Sequence, residues 1–389
     1  MIPKIAWKNF YRQGLRAFLN VLVTALSIIA IVFNISLLNG FQAQATRNMV
    51  VSDVAGGHYL APGFDLLTPT EWEDHTRPVP EVLRRLPHPE KAEILVQQGQ
   101  IFPRNRLYPV QLRGVEMEQS LLDLPMDALK SQPAEPGDYI PAVLGTKMAE
   151  KAHLRKGDTV VLKWRDRFGA VDAREIKVVD VAYFLNPRID EGIVWLRLDH
   201  LRDITRREGE ISWVAVDRYR GPVEGLRFET VEELMADLLS MLKQDRRNSR
   251  ILWTILIFLA GISIFNTQIL NVFKRQKEIG TLMAFGMEPG RIVRLFALEG
   301  VYAALGALLV AAVLGVPFFT WFQSVGFDVT HLKETTIPVH EKVFLDIRPG
   351  EVAVTGVTVF VIMVAVAWLP VRRISRLEPT AALRGKAIA

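Results

Sequence analysis

The sequence predicts a membrane protein with four transmembrane α-helices, one followed by three, and a large mixed α/β extracytoplasmic domain inserted between helices 1 and 2. Two observations predict it. Four stretches, residues 18–38, 251–273, 295–322 and 352–369, are apolar and almost free of charge. Each runs for about 18 to 28 residues, which at about 1.5 Å per residue spans a hydrocarbon core about 30 Å thick. A soluble helix seldom stays apolar on every face for that length. Between the first stretch and the second lies a block of ordinary soluble composition, roughly 200 residues and large enough to bury its own core.

Composition agrees. Half the residues are hydrophobic, and 47 Lys and Arg against 42 Asp and Glu leave a net charge of +5. This modest excess belongs near membrane surfaces rather than to a nucleic-acid footprint, so no nucleic-acid partner is expected. The sequence contains no cysteine. Disulfides, Cys-ligated zinc, a thiol nucleophile and lipidated cysteines are therefore excluded.

The elements follow in order. Residues 1–17 predict an amphipathic helix in the cytoplasmic interface, because Trp7, Phe10, Tyr11, Leu15 and Phe18 recur at helical spacing. Lys4, Lys8, Arg12 and Arg16 take a neighbouring face. A plain cytoplasmic extension of the first span is the other reading. Residues 18–41 are transmembrane helix 1, too long for a signal-peptide core and expected to be a retained anchor.

Residues 42–247 read as the α/β domain. Strands are expected at 92–101, 108–114, 139–144, 159–164, 174–183 and 192–198. Helices are expected at 145–152, 198–207 and 231–243, turns at Lys156-Gly157-Asp158 and Phe168-Gly169, and a loop or small insertion at 62–89. Transmembrane helix 2 is 248–273, where Asn266, Thr267, Gln268 and Asn271 suit contacts between helices. A cytoplasmic segment at 274–294 leads to helix 3 at 295–322. A short loop at 323–350, helix 4 at 351–370 and a cytoplasmic tail at 371–389 complete the chain.

Orientation follows from charge. Residues 1–17, 274–294 and 371–389 are basic on balance, whereas 323–350 carries an acidic excess with Glu351 beside it. The positive-inside bias puts both termini in the cytoplasm and 42–247 outside. Lys243, Arg246, Arg247 and Arg250 lie against this rule at the outer end of helix 2. They read as a solvated helix end or as contacts to anionic headgroups.

No catalytic or metal-binding constellation is present in the sequence. The seven histidines lack ligand spacing, and acids such as Asp180 and Asp190 read as solvated surface. No phosphate-binding Gly-x-x-x-x-Gly-Lys-Ser/Thr occurs, so the chain is not itself expected to hydrolyse ATP or to hold a cofactor.

The segment after helix 2 is the most specific stretch. Glu278-Ile279-Gly280 leads to Leu282, Met283 and Phe285, and Gly286 closes the run. Its apolar side chains suit insertion into a partner's groove; a plain amphipathic loop helix is the alternative. Further on come Ile292 and Glu299-Gly300, and after helix 4 the ending Pro370-Val-Arg-Arg-Ile-Ser-Arg-Leu-Glu-Pro-Thr. Together these resemble the ABC transporter permeases of the FtsX/MacB superfamily. Gly145, Ala149, Gly157-Asp158 and Asp190 are similar to that superfamily's extracytoplasmic core domain. Asn39-Gly40-Phe41-Gln42 resembles the lipoprotein-release (Lol-type) branch.

The resemblance implies a mechanotransmission machine in a bacterial inner membrane. Two copies of a separate ATPase, holding ATP and Mg, would act on a pair of permeases, the second the same or a related chain. Glu278, Ile279, Gly280, Leu282, Met283, Phe285 and Gly286 would form the ATPase-coupling site. The expected cargo is a lipoprotein passed from the outer leaflet to a periplasmic carrier. The alternatives are MacB-like efflux of drugs, peptides or haem, and FtsX-like signalling to cell-wall hydrolases. Glu299 is expected to pair with loop basic residues. Leu37, Leu38 and Phe41 of helix 1 with Ile251, Trp253 and Leu256 of helix 2 would form the surface where membrane lipid tails gain access, unless they are ordinary lipid-facing helix ends.

Overall fold

Helices carry the two ends of the chain and strands carry its middle. The computed structural model describes residues 2–12, 14–65, 68, 72–133, 137–328 and 342–372. They fall into two compact units. One draws on Met1–Phe41, Leu242–Phe327 and Val343–Ala389, the other on Gln42–Met241 and Asp328–Lys342. Most of the C-terminal motif, residues 373–384, lies outside the described residues, as do His331 and His340.

The chain opens with α1 (Ile2–Arg12) and α2 (Leu15–Met49), which ends in a π-helical turn, Val50–Val54. In the soluble unit follow β1 (His58–Leu60), β2 (Arg77–Pro78), α3 (Glu81–Arg84), β3 (Lys91–Ile101) and β4 (Tyr108–Val115). Then come α4 (Asp127–Lys130), β5 (Ile140–Gly145), α5 (Thr146–Ala152), β6 (Thr159–Arg165), β7 (Val171–Ala182) and α6 (Pro187–Asp190). The unit continues with β8 (Ile193–Arg197), α7 (Leu198–Thr205), β9 (Glu210–Ile211), β10 (Trp213–Val216), β11 (Arg227–Glu229) and α8 (Val231–Leu234). The helical unit resumes within α9 (Ala236–Lys274) and adds α10 (Gln276–Ala284), α11 (Pro289–Val325) and α12 (Pro349–Arg372).

Three helices among the described residues are long and apolar enough to cross a membrane: Ala17–Val54, Pro289–Val325 and Pro349–Leu369. The second apolar stretch lies inside α9. The side chains of Thr267, Gln268 and Asn271 lie outside the described residues, so their expected contacts are untouched. Helix α11 carries Gly300, Ala304, Ala307, Ala311 and Gly315, all buried. Their spacing of three or four residues makes one stripe of small side chains, which lets neighbouring helices approach closely. Val21 of α2 comes within 3.6 Å of where a Cβ on Gly306 would sit, and Ile29 within 3.5 Å of one on Gly315.

In the soluble unit the strands run β11-β1-β10-β3-β4-β8-β5-β7-β6, and β3 also pairs with β6, closing six of them into a ring. β4 with β8 and β5 with β7 are parallel; the other pairs are antiparallel. Alternating side chains feed separate cores, two of them the largest of the unit among the described residues. Leu95, Leu112, Ala142, Leu144, Val194 and Leu196 pack with α5 and α7. Ile94, Val96, Val115, Val143, Ile193, Trp195 and Trp213 pack with 117–129.

The expected strands match those observed to within a few residues. One helix does not: residues 231–243 divide into the one-turn α8 and the start of α9, with Met235 between them. Asp190 also departs from expectation. It is 2% exposed, and its carboxylate accepts the N–H groups of Thr146 and Lys147, both at 2.9 Å. It thereby caps the start of α5, whose first N–H groups have no partner within the helix. Burial pushes its carboxyl above the usual range despite these bonds. A Cβ at Gly145 would stand 2.1 Å from the Asp190 carbonyl oxygen, so only glycine fits there. Asp180 is a surface residue as expected, paired with Lys156 at 3.0 Å.

Candidate functional site

Arg275 breaks the helix between α9 and α10 and organises the segment that follows. Its guanidinium donates to both oxygens of Glu278, at 2.7 and 2.8 Å. It also donates to both oxygens of Glu299 on α11, at 2.8 and 3.1 Å. Phe296, one turn before Glu299, lies under it at 4.6 Å. Asn9 of α1 donates to Glu299 Oε1 at 3.0 Å. One arginine and one acid thus join α1, α10 and α11. Burial works against the Arg275 charge, but the two carboxylates outweigh it and hold the guanidinium above its usual range. The hydrogen bonds from Arg275 keep the Glu278 carboxyl below its usual range. Sequence reasoning paired Glu299 with loop basic residues, and Arg275 is that residue.

The apolar residues of α10 divide by face. Ile279 is 0% exposed and packs on Ile292 and Phe296, with Leu282, Met283 and Met287 against the same cluster. Gly280 is also buried. Leu282 and Met283 are half-buried. Phe285, at the end of α10, is 84% exposed. Gly286 follows with a φ of +83°, a conformation that glycine adopts without strain. Of the apolar residues singled out from the sequence, Phe285 is therefore the one presented outward, and Ile279 belongs to the core.

A second polar node lies near the start of α9. About 42 Å of helix separates Arg246 from Lys274 at 1.5 Å per residue. Asn39 on α2, 3% exposed, donates to Glu351 Oε2 of α12 at 2.6 Å and accepts from Arg246 of α9 at 3.3 Å. Arg246 is thus held by protein. A Cβ on Gly40 would sit 1.9 Å from the Phe344 carbonyl oxygen, so the Asn39-Gly40 pair is a packing requirement.

Of the residues expected at the lipid surface, Leu37, Leu38 and Phe41 are half-buried on α2. Ile251 is 60% exposed on α9. Trp253 and Leu256 pack against the helical core instead, and Trp253 Nε1 donates to Asn34 Oδ1 at 2.8 Å. Exposure therefore separates Ile251 from Trp253 and Leu256 within the predicted set.

The helical unit thus holds a small-residue stripe, a buried acid–base node and a short helix followed by one outward aromatic. The chain is similar to several known proteins. Residues 250–379 match the family described as FtsX-like permease C-terminal. The lipoprotein-releasing system transmembrane protein LolC of Neisseria meningitidis is 22% identical over 413 residues, covering 96% of this chain and 95% of that one. LolC of Xylella fastidiosa strain 9a5c is 23% identical over 417 residues with the same coverage. An uncharacterised ABC transporter permease of Methanocaldococcus jannaschii is 21% identical over 65% of this chain and 64% of its own. The solved periplasmic region of MacB from Actinobacillus actinomycetemcomitans is also similar, at a TM-score of 0.30 and 9% identity, over 47% of this chain and 92% of that one. Residues 250–379 are thus similar to FtsX-like permeases, and nearly the whole chain is similar to LolC proteins at 22–23% identity.

Proposed function

We propose that the chain is the membrane subunit of an ABC transporter of the mechanotransmission type, acting on lipoproteins of the bacterial inner membrane. Both termini and residues 274–294 face the cytoplasm, 42–247 faces the periplasm, and α9 supplies the fourth span. The observation that carries this reading is the build of α10. It is a short helix bonded to α11 through Arg275 and Glu299 and packed there through Ile279, and it is followed by Phe285, a large apolar side chain turned outward. A load applied at Phe285 reaches α11 and α1 through contacts already made. A flexible loop would dissipate it.

The ATPase, two copies with their ATP and Mg, is a separate partner in this reading, and a second permease completes the membrane part. The spans favour a machine that moves cargo outside the membrane over a channel. Among the described residues, Glu299 is the buried acid of α11 and is occupied by Arg275 and Asn9, whereas a hydrophilic path needs a series of polar groups facing water. Lipoprotein as cargo rests on the LolC names of the full-length relatives and on Asn39-Gly40-Phe41. The lipid tails would gain access beside Phe41 and Ile251.

The test is reconstitution. The permease is co-expressed with an ABC ATPase and a second permease and placed in proteoliposomes loaded with a triacylated lipoprotein. ATP-dependent appearance of the lipoprotein on a soluble carrier supports the proposal. ATP-dependent loss of a hydrophobic drug with no lipoprotein release would replace it with efflux. Stimulation of a wall hydrolase alone would replace it with signalling.

A further inference from the structure

Among the buried charge pairs of the soluble unit, one ties the end of α2 to the sheet: Asp53 with Arg113. Arg113 lies in β4 and is 3% exposed. Its guanidinium donates to Asp53 Oδ1 at 2.8 Å and to Gln111 Oε1 at 3.3 Å. It sits 5.2 Å from the ring centroids of both Trp195 of β8 and Trp213 of β10. The pile continues outward: Phe184 stacks on Trp195 at 5.3 Å and His58 on Trp213 at 5.6 Å. Burying an arginine and an aspartate costs desolvation that apolar side chains of similar size would avoid. A guanidinium held between two indoles by a fixed carboxylate has, in return, a single orientation.

Asp53 is the informative partner. It lies in the π-helical turn that ends α2, the first long helix. Other bonds fix that turn. The Asp53 carbonyl bonds His58 Nε2 at 2.9 Å, and the Asp123 N–H donates to the Val51 carbonyl at 3.0 Å. The Gly56 N–H donates to the Val216 carbonyl at 2.7 Å, and the Val216 N–H to the Gly57 carbonyl at 3.0 Å. A Cβ on Gly56 would stand 1.9 Å from the Asp217 carbonyl oxygen. Ala55 holds a φ of +51°. Helix α8, just before α9, packs on the same turn. The chain thus leaves a long helix and enters the sheet within a few residues, with no slack on either side.

We propose that the Asp53–Arg113 pair, clamped between Trp195 and Trp213, is the rigid joint that delivers displacement of α2 to the soluble domain. The inference rests on the mechanical reading above and assigns the positioning residues on the receiving side of the machine. The joint moves residues 42–54 and the sheet as one body. Without the pair, the helix end is tied to the sheet by the hydrogen bonds of the turn alone, which yield under load, and its displacement is lost.

The absence of cysteine makes the test direct. Spin labels are placed at exposed Ala43 on α2 and exposed Glu175 on β7, and their distance distribution is measured without nucleotide. It should be narrow in the native chain and at least twofold broader in Asp53→Asn and in Arg113→Met, with circular dichroism unchanged. An unchanged width in both folded variants overturns the joint. Hydrogen exchange in the unaltered chain covers the case in which neither variant folds. The amides of Ala55, Gly56 and Gly57 should exchange as slowly as those of β3 and β10; exchange tenfold faster than those strands overturns the proposal. In the reconstituted transporter the folded variants should keep ATP hydrolysis within about twofold and lose at least tenfold of lipoprotein release. Failure of the unaltered complex to release lipoprotein would remove the transport reading, while the nucleotide-free widths still decide the joint.

Discussion

Arg275 and Glu299 are joined by two hydrogen bonds, at 2.8 and 3.1 Å, and the Glu299 side chain is 1% exposed while that of Arg275 is 19% exposed. The pair joins the segment after α9 to the interior of α11. Removing one partner leaves the other charge buried, which costs about 3 kcal/mol. Arg275→Met should lower the melting temperature of the purified chain by several degrees, because Glu299 keeps only the neutral Asn9, and Glu299→Leu by less, because Arg275 keeps Glu278. In the transporter, Arg275→Met should keep ATP hydrolysis and lose most transport. Transport at the native rate in Arg275→Met would disprove the strut.

The two faces of α10 predict opposite outcomes. Ile279 is buried against Ile292 and Phe296, so Ile279→Ala should cost about 2 to 4 kcal/mol of stability. Phe285 touches little and is 84% exposed. Phe285→Asp should leave the melting temperature within about 1 °C, since exposed substitutions rarely exceed 0.5 kcal/mol. It should still abolish co-purification of the ATPase. Glu278→Lys should act in between, because it breaks the bond to Arg275 as well as altering the surface. Co-purification at the native ratio in Phe285→Asp would move the docking surface elsewhere.

His58 gives the soluble domain a pH dependence. Desolvation, with Arg113 nearby, lowers its proton affinity below the ordinary 6.5, and the Asp53 charge and carbonyl offset this only in part. The unfolded chain therefore binds a proton that the folded chain resists. The contribution of His58 to stability is fully present above pH 6.5 and is lost as pH falls from there towards the depressed native value. Denaturant midpoints measured at pH 7.5 and pH 5 should differ more in the native chain than in His58→Gln. An equal pH dependence in the two would exclude His58 as the source.

Periodicity and punctuation made much of this fold legible before any coordinates. The β-branched run 159–164 and the glycine turns at Gly157 and Gly169 became β6 and its flanking turns. The segment after α9 stood out as Glu278-Ile279-Gly280, but which of its apolar residues faced outward did not. That depends on the packing of α11 against it, a tertiary fact with no trace in local spacing. Asp190 was misread for the same reason, since its partners on α5 are more than 40 residues earlier in sequence. The Asp53–Arg113 pair escaped notice because its members are 60 residues apart. The small-residue stripe Gly300, Ala304, Ala307, Ala311 and Gly315 stands at helical spacing in the sequence but was not read there; its burial marks one face of α11.

Topology can be checked with single cysteines. Phe168 is 75% exposed at the β6–β7 turn, whereas neighbouring Asp166 is 4% exposed and accepts the N–H groups of Phe168 and Ala170. Phe168→Cys therefore reports access without disturbing the turn, and Asp166→Cys would disturb it. An impermeant maleimide added to spheroplasts should label Phe168→Cys and should label Glu288→Cys only after lysis. The reverse pattern would invert the orientation drawn from charge.

The lipid surface makes the last prediction. Trp253 is committed to Asn34 and to the helical core, so Trp253→Phe should cost about 1 kcal/mol of helix association through the lost hydrogen bond. Its effect on cargo capture should be no larger than that loss of stability explains. Ile251, at 60% exposed, and half-buried Phe41 remain available to a lipid. Each buried CH₂ of an acyl chain contributes about 0.8 kcal/mol, so a few methylenes held there would capture a tail. A photo-crosslinker at Phe41 or Ile251 should trap a triacylated lipoprotein before ATP is added and lose it afterwards. The same crosslinker at Leu309, an exposed position on α11, should trap only phospholipid and do so regardless of ATP. Identical capture at all three positions would make Phe41 and Ile251 ordinary lipid-facing helix ends and separate the cargo from this surface.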